Sequence, residues 1–184
     1  MIIGLSGYAQ SGKDTIAEML TMNYGFKRLA FADNIRKAII KLNPILNDGS
    51  RISESVKKIG WEPTKAIPET RRLLQVFGTE IGREMFGEDF WVKQVLKQIE
   101  EDEIYDHFVI TDVRFPNEAN LIKLKGGEVW RVNRGANKPI NSHASESAMD
   151  DYKFDRIISN ESTIQSLESE VFKLMRSYNA ILSI

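Results

Sequence analysis

The chain has no cysteine among its 184 residues. That excludes disulfides, thiolate metal sites and cysteine nucleophiles. Histidine is nearly absent too. Only His107 and His143 are present, which disfavours a histidine-based metal centre. Charge of one sign is also missing: 25 Lys and Arg stand against 26 Asp and Glu, a formal net charge of -1. So neutral a chain has no overall field with which to hold a nucleic-acid polymer, and any phosphate it binds must meet basic groups focused locally. No apolar run approaches the roughly 18 residues of a membrane helix. The opening Met1-Ile2-Ile3-Gly4-Leu5-Ser6 has neither the basic start nor the long apolar core of a signal peptide. These absences point to a cytoplasmic protein with no membrane partner. What remains is an ordinary globular balance, 42% hydrophobic and 28% charged, in a length that suits one domain over 1–184.

Along the chain, short apolar runs alternate with helical periodicity. Ile2 to Ser6 predicts a buried strand, and residues 13–23 a helix with Ile16, Met19 and Leu20 on one face. Lys27 to Phe31 predicts a second strand and Asp33 to Leu42 a second helix, with Asp33 as its N-cap. Residues 43–68 break the periodicity with Pro44, Asp48-Gly49-Ser50, Gly60, Pro63 and Pro68, leaving room for one short helix. Helices are expected over 69–87, 90–99, 117–125 and 163–178, and strands over 108–111, 128–133 and 156–158. Glu100-Glu101-Asp102-Glu103 is expected to be a solvated connection. Alternating strands and helices imply an α/β fold with a parallel sheet and helices on both faces.

Gly7-Tyr8-Ala9-Gln10-Ser11-Gly12-Lys13 follows the first strand directly and opens the first helix, matching G-x-x-x-x-G-K. Gly7 and Gly12 allow backbone conformations that other residues resist. Successive N–H groups then wrap a phosphate, the helix N-terminus adds its positive dipole end, and Lys13 brings a mobile charge. The motif expects Ser or Thr after the lysine, for Mg²⁺. Here Asp14 takes that place and Thr15 follows. One residue is about 100° of helical turn, so Thr15 does not simply replace the missing hydroxyl. Nucleotide kinases with a displaced threonine share this ending, which tilts the expectation away from a GTPase toward a small-molecule kinase. Asp14 then either meets the metal's water shell, faces the acceptor, or complements the helix dipole.

Two further features suit phosphate chemistry. Phe108-Val109-Ile110-Thr111 delivers Asp112 to the C-terminal end of an apolar strand, where ligands of such sheets sit and where a carboxylate can hold Mg²⁺ through water. Arg114, two residues on, is placed to reach a phosphate or to lock the loop. On residues 71–86 projected at about 100° each, Leu73, Leu74, Phe77, Ile81 and Met85 share the expected core arc. The opposite arc gathers Arg71, Arg72, Gln75, Thr79, Gly82 and Arg83, with Gly78 at its border. Guanidinium forks suit phosphate oxygens, Gln75 a base edge, and small residues a close ligand. Trp61, Trp91 and Phe86 are either base-stacking groups or core.

These segments resemble the deoxynucleoside monophosphate kinases of bacteriophages. The resemblance runs through the loop to Asp14-Thr15, Arg71-Arg72-Leu73-Leu74-Gln75 with Gly78-Thr79-Glu80, and Phe90-Trp91-Val92-Lys93. It continues through Asp112-Val113-Arg114, Glu118-Ala119 and His143-Ala144-Ser145-Glu146, and so spans most of the chain. It implies the three-layer P-loop fold of nucleoside monophosphate kinases, with a five-stranded parallel sheet. It also implies ATP- and Mg²⁺-dependent transfer to a deoxynucleoside monophosphate in the cytoplasm, host cytoplasm for a phage protein.

By the same resemblance, Gly7, Gln10, Ser11, Gly12, Lys13, Asp14 and Thr15 form the ATP site. Arg36, Arg71, Arg72, Gln75 and Thr79 grip the acceptor within an excursion over about 33–87. Residues of about 131–150 stand where such kinases carry a lid. Arg134 there would close on the transferring phosphoryl group, beside Lys13 and Arg114, while His143 and Glu146 orient the lid or the acceptor, or cap structure. Metal contact, through water, falls to Asp112 and Asp14. A homodimer stays open. So do two other functions: kinase action on another small acceptor such as dephospho-coenzyme A, and nucleotide binding without turnover. A GTPase fits poorly, because Asp112-Val113-Arg114-Phe115 lacks the glycine of Asp-x-x-Gly and Asn137-Lys138-Pro139-Ile140 lacks the aspartate that reads guanine.

Overall fold

A computed structural model describes residues 1–135 and 148–182. Five strands form one parallel sheet: β1 (Ile2–Ser6), β2 (Lys27–Leu29), β3 (Phe108–Ile110), β4 (Glu128–Asn133) and β5 (Arg156–Ser159), in the order β2-β3-β1-β4-β5. The central strand β1 is buried at all five positions. A strand covered on both faces must be apolar throughout, which is why Ile2-Ile3-Gly4-Leu5 shows no alternation. Its register with β3 pairs Ile3 with Val109, and with β4 pairs Leu5 with Trp130.

The chain divides into two compact units. Met1–Leu29 with Gln98–Ile184 form the first, and Ala30–Lys97 the second. In the first unit, α1 (Lys13–Tyr24) and the last helix, α8 (Ile164–Leu182), cover one sheet face. Ile3, Leu5, Trp130, Val132 and Ile158 of the strands meet Ile16, Leu20, Leu167, Val171 and Met175 there. On the other face Gly4 leaves room for Ile122 of α7 (Pro116–Leu124), and a Cβ at Gly4 would stand 2.9 Å from Ile122 Cδ1 and Val113 Cγ2. Gly25, in the left-handed region at φ 69°, ends α1 by returning its N–H to the Leu20 carbonyl. Beyond the core, Glu128 accepts from Trp130 Nε1 at 2.8 Å and from the Tyr178 hydroxyl; burial, and then this bond, push the Tyr178 phenol up to about 12.

The second unit holds α2 (Phe31–Leu42), α3 (Ile52–Ile59), α4 (Trp61–Ala66), α5 (Pro68–Val76), a π-helix (Phe77–Met85) and most of α6 (Phe90–Glu100). Three expectations change here. Helix α2 starts two residues early: Ala30 is its extended N-cap, and Asp33 lies in the first turn instead. The stretch 43–68 contains two short helices rather than one. Gly60, at φ 84°, separates them, and Pro63 falls in the first turn of α4, where its missing N–H costs nothing.

The third change is the widened turn from Phe77. Each residue of an i→i+5 helix rotates less than in an α-helix, so a projection at about 100° drifts off register. Leu73, Leu74 and Phe77 do pack on Ile39, Leu46 and Ile52, but Met85, expected in the core, is 72% exposed. Gly82, expected to face a ligand, is buried instead.

The two glycines of that helix serve packing. A Cβ on Gly82 would collide with the Trp91 indole, while one on Gly78 would lie 3.1 Å from Ile35 Cδ1. Trp91 is held in place because its Nε1 donates to the Gly78 carbonyl at 2.9 Å. Gly82→Ala should therefore lower stability by about 1–3 kcal/mol through overpacking, outweighing the roughly 1 kcal/mol gained in helix propensity. Gly78→Ala meets only the mobile end of Ile35 and should cost less. Urea unfolding of both variants checks the order.

Candidate functional site

The loop after β1 has the geometry of an anion cradle. Gly7 (φ 146°), Gln10 (φ 61°) and Gly12 (φ 105°) all take positive φ. A side chain at Gly7 would run into the Val132 carbonyl of β4, and one at Gly12 into the Asn160 amide. Asn160, just past β5, donates from Nδ2 to the Ser11 carbonyl at 2.9 Å, pinning the loop from below. Nothing in the sequence flagged Asn160, because its partner lies 149 residues away. Lys13, the first residue of α1, folds back over the loop. Its Nζ donates to the carbonyls of Gly7 (2.8 Å) and Tyr8 (2.7 Å). The buried Ser11 hydroxyl has no hydrogen-bond partner among the described residues.

A hollow opens at the C-terminal ends of β1, β3 and β4. Ser6, Gly7, Ala9, Lys13, Asp112, Val113, Arg114, Arg131 and Met149 form its walls. Gly7, Lys13, Asp112 and Arg114, chosen separately from the sequence, thus share one site. Asp112 is half-buried and Arg114 exposed. The loop carrying them is braced by Glu118. Its nearly buried carboxylate accepts from the N–H groups of Arg114 (2.8 Å) and Phe115 (3.0 Å). Pro116 opens α7 just before it, at the one turn that tolerates a missing N–H.

Other expected residues lie elsewhere. Asp14 is exposed in the first turn of α1, where its charge complements the helix dipole, and Thr15 is half-buried; neither lines the hollow. Arg134 is exposed beyond the end of β4 and also stays off the hollow. His143, Glu146 and most of the lid-like segment fall outside the described residues. Arg36, Arg71, Arg72, Gln75 and Thr79 belong to the second unit. Within it, Arg71, Arg72 and Gln75 are exposed on α5, Thr79 is half-buried, and the Arg36 guanidinium stacks 4.5 Å over the Trp61 ring.

Sequence reasoning missed a cluster at the hollow's edge. Arg131 on β4 is 8% exposed, bonds Asp150 at 3.1 Å and stacks 4.7 Å over Tyr8 of the loop. The Tyr8 hydroxyl donates to the same Asp150 oxygen at 2.7 Å. That bond, and then burial, raise the Tyr8 phenol above its usual value.

Residues 49–171 match the family described as deoxynucleotide monophosphate kinase. The chain belongs to this family. It is therefore a kinase, a phosphotransferase of viral and phage type. A protein of Acanthamoeba polyphaga mimivirus, provisionally assigned as a deoxynucleotide monophosphate kinase, is 28% identical over 93% of this chain and 94% of its own length. The deoxynucleotide monophosphate kinase of Escherichia phage RB69 is 28% identical over 58% of this chain, and that of Enterobacteria phage T4 27% over 55%. The chain spans less than half the length of those two phage relatives, 44% and 43%.

Solved structures place the kinase in the P-loop kinase fold. Shikimate kinase of Aquifex aeolicus superposes with a TM-score of 0.51 at 17% identity, covering 98% of this chain and 99% of its own. A dephospho-CoA kinase of Campylobacter jejuni gives 0.50 at 17% identity, covering 96% of each chain. At such identities the likeness is one of fold. In this kinase, replacing Lys13 by Ala should lower turnover at least about a hundredfold, the loss expected for a main electrostatic stabiliser. Purified, folded Lys13→Ala protein assayed at saturating ATP checks it, and near-normal turnover would refute that role.

Proposed function

We propose that the chain transfers the γ-phosphate of ATP to a deoxynucleoside monophosphate in the cytoplasm, giving a deoxynucleoside diphosphate and ADP. The supporting observation is the convergence of Gly7, Lys13, Asp112 and Arg114 on one hollow at the carboxyl edge of the parallel sheet. An oxygen of the acceptor phosphate attacks the γ-phosphorus in line. The bond from that phosphorus to the β,γ-bridging oxygen breaks, and ADP leaves with the electron pair. The attacking oxygen is already anionic, so no general base is needed and no covalent enzyme intermediate forms. The chain's task is positioning and charge neutralisation. Loop N–H groups hold the ATP phosphates, and Lys13 leaves the loop carbonyls for the β- and γ-oxygens.

Among the described residues no three acidic or histidine side chains form a metal cage. A lone carboxylate such as Asp112 fits an ion that keeps its waters and takes phosphate oxygens as ligands. Mg²⁺ entering with ATP would be held by Asp112 through water, with Asp14 as a second candidate, and would neutralise charge on the β- and γ-oxygens.

For the acceptor we assign Arg36, Arg71, Arg72, Gln75 and Thr79 of the second unit, within one kinase domain. Arg forks suit the monophosphate, and Gln75 a base edge. Arg134, His143 and Glu146 keep the role the family resemblance gives them, closing on or orienting the bound groups.

The test is an acceptor panel with ATP in a coupled ADP assay. It uses dTMP, dGMP, dCMP, dAMP, their ribonucleotide counterparts and dephospho-coenzyme A. ADP release should depend on a deoxynucleoside monophosphate. Release with dephospho-coenzyme A alone, or ATP binding with no acceptor-stimulated release, would overturn the proposal.

A further inference from the structure

Strand β4 brings an arginine to the phosphate hollow that none of the roles above uses. Its alternation sends Trp130 and Val132 into the core beneath α1 and α8, and Arg131 to the opposite side, onto the hollow. Arg134, three residues later and favoured by sequence position, stays exposed off the hollow. The Arg131 side chain is only 10% exposed, and guanidinium is always charged. Burying such a charge is costly unless it is answered by partners.

Its partners among the described residues answer it in part. Nη2 bonds Asp150 at 3.1 Å and Nε reaches Asn133 Oδ1 at a long 3.3 Å. The Asp150 carboxylate is itself 38% exposed and shares the same oxygen with the Tyr8 hydroxyl. The guanidinium carbon lies 4.7 Å from the Tyr8 ring centre and 5.5 Å from that of Phe154. Aromatic contacts use the face of a guanidinium and leave its N–H edge for oxygen. Among the described residues, Asn133, Asp150 and the Tyr8 hydroxyl meet the fork, and five donors exceed what these three take, leaving capacity for an anion. In the hollow's lining, Lys13, Arg114 and Arg131 are three cations against one carboxylate, Asp112, a balance suited to a polyphosphate.

We propose that Arg131 binds a phosphate oxygen of the nucleotide held by the loop, its fork aimed by Asp150 and by stacking on Tyr8 and Phe154. Tyr8 belongs to the loop itself, so one cluster fixes both the arginine and the loop's outer rim. The assignment rests on the phosphoryl-transfer reading above.

Calorimetric titration of ATP and of adenosine into the purified full chain and its variants tests it, with thermal melting as the fold control. Arg131→Gln should weaken ATP at least about tenfold, the scale of a hydrogen bond to a charged group, and leave adenosine unchanged. Arg131→Lys keeps the charge without the fork and should recover part of that loss. Tyr8→Phe keeps the ring but loses the bond to Asp150, and should cost ATP less than Arg131→Gln does. A purely structural Arg131 would lower melting and weaken both ligands alike. That result, or parental ATP affinity in folded Arg131→Gln, overturns the proposal. If Arg131→Gln does not fold, Arg131→Lys and Tyr8→Phe decide it: ATP affinity unchanged in both overturns it, and loss confined to ATP supports it. A parent chain that binds ATP no more tightly than adenosine would instead sink the loop reading itself, and this assignment with it.

Discussion

Six residues between β1 and α1 must reverse the chain within that short span, and the rest of the site follows from that constraint. The reversal needs positive φ at Gly7, Gln10 and Gly12, conformations that cost energy at any residue with a side chain. The surroundings enforce it. The Val132 carbonyl fills the space beside Gly7, and Asn160 holds the Ser11 carbonyl below Gly12. The loop is therefore set by its neighbours in β4 and after β5 as much as by its own glycines. Lys13 completes it by donating from its ammonium to two loop carbonyls.

A protein of net charge -1 can serve as a phosphate enzyme only by concentrating its cations. The sheet does this through topology. Strands β1, β3 and β4 are neighbours, parallel, and end on the same edge, so the residues at their ends meet although they are far apart in sequence. Lys13 follows the first, Asp112 and Arg114 the second, and Arg131 lies on the third. Glu118 and Asp150 each spend a carboxylate on organising backbone or guanidinium there.

The legible parts of the molecule were those written locally. A glycine-spaced loop after an apolar strand, and a strand ending in Asp112, need only adjacent residues to be recognised, and the parallel sheet follows from strands alternating with helices. Helix ends were less legible. Asp33 looked like an N-cap, yet the extended backbone at Ala30 starts the helix earlier. The π-helix from Phe77 was invisible, because periodicity assumes a fixed turn; its widening moved Met85 out and Gly82 in. Arg131 and Asn160 could not be found from spacing. Each acts through contacts that only the folded sheet creates, and an arginine inside a strand carries no motif.

The central claim is that the backbone N–H groups of the loop itself grip the ATP phosphates. Amide chemical shifts of ¹⁵N-labelled protein, followed while Mg²⁺ and ATP are added, test it most directly. The amides of Gly7 through Thr15 should show the largest changes, as they take up hydrogen bonds to phosphate. Saturable ATP binding that leaves those amides unmoved would contradict the account.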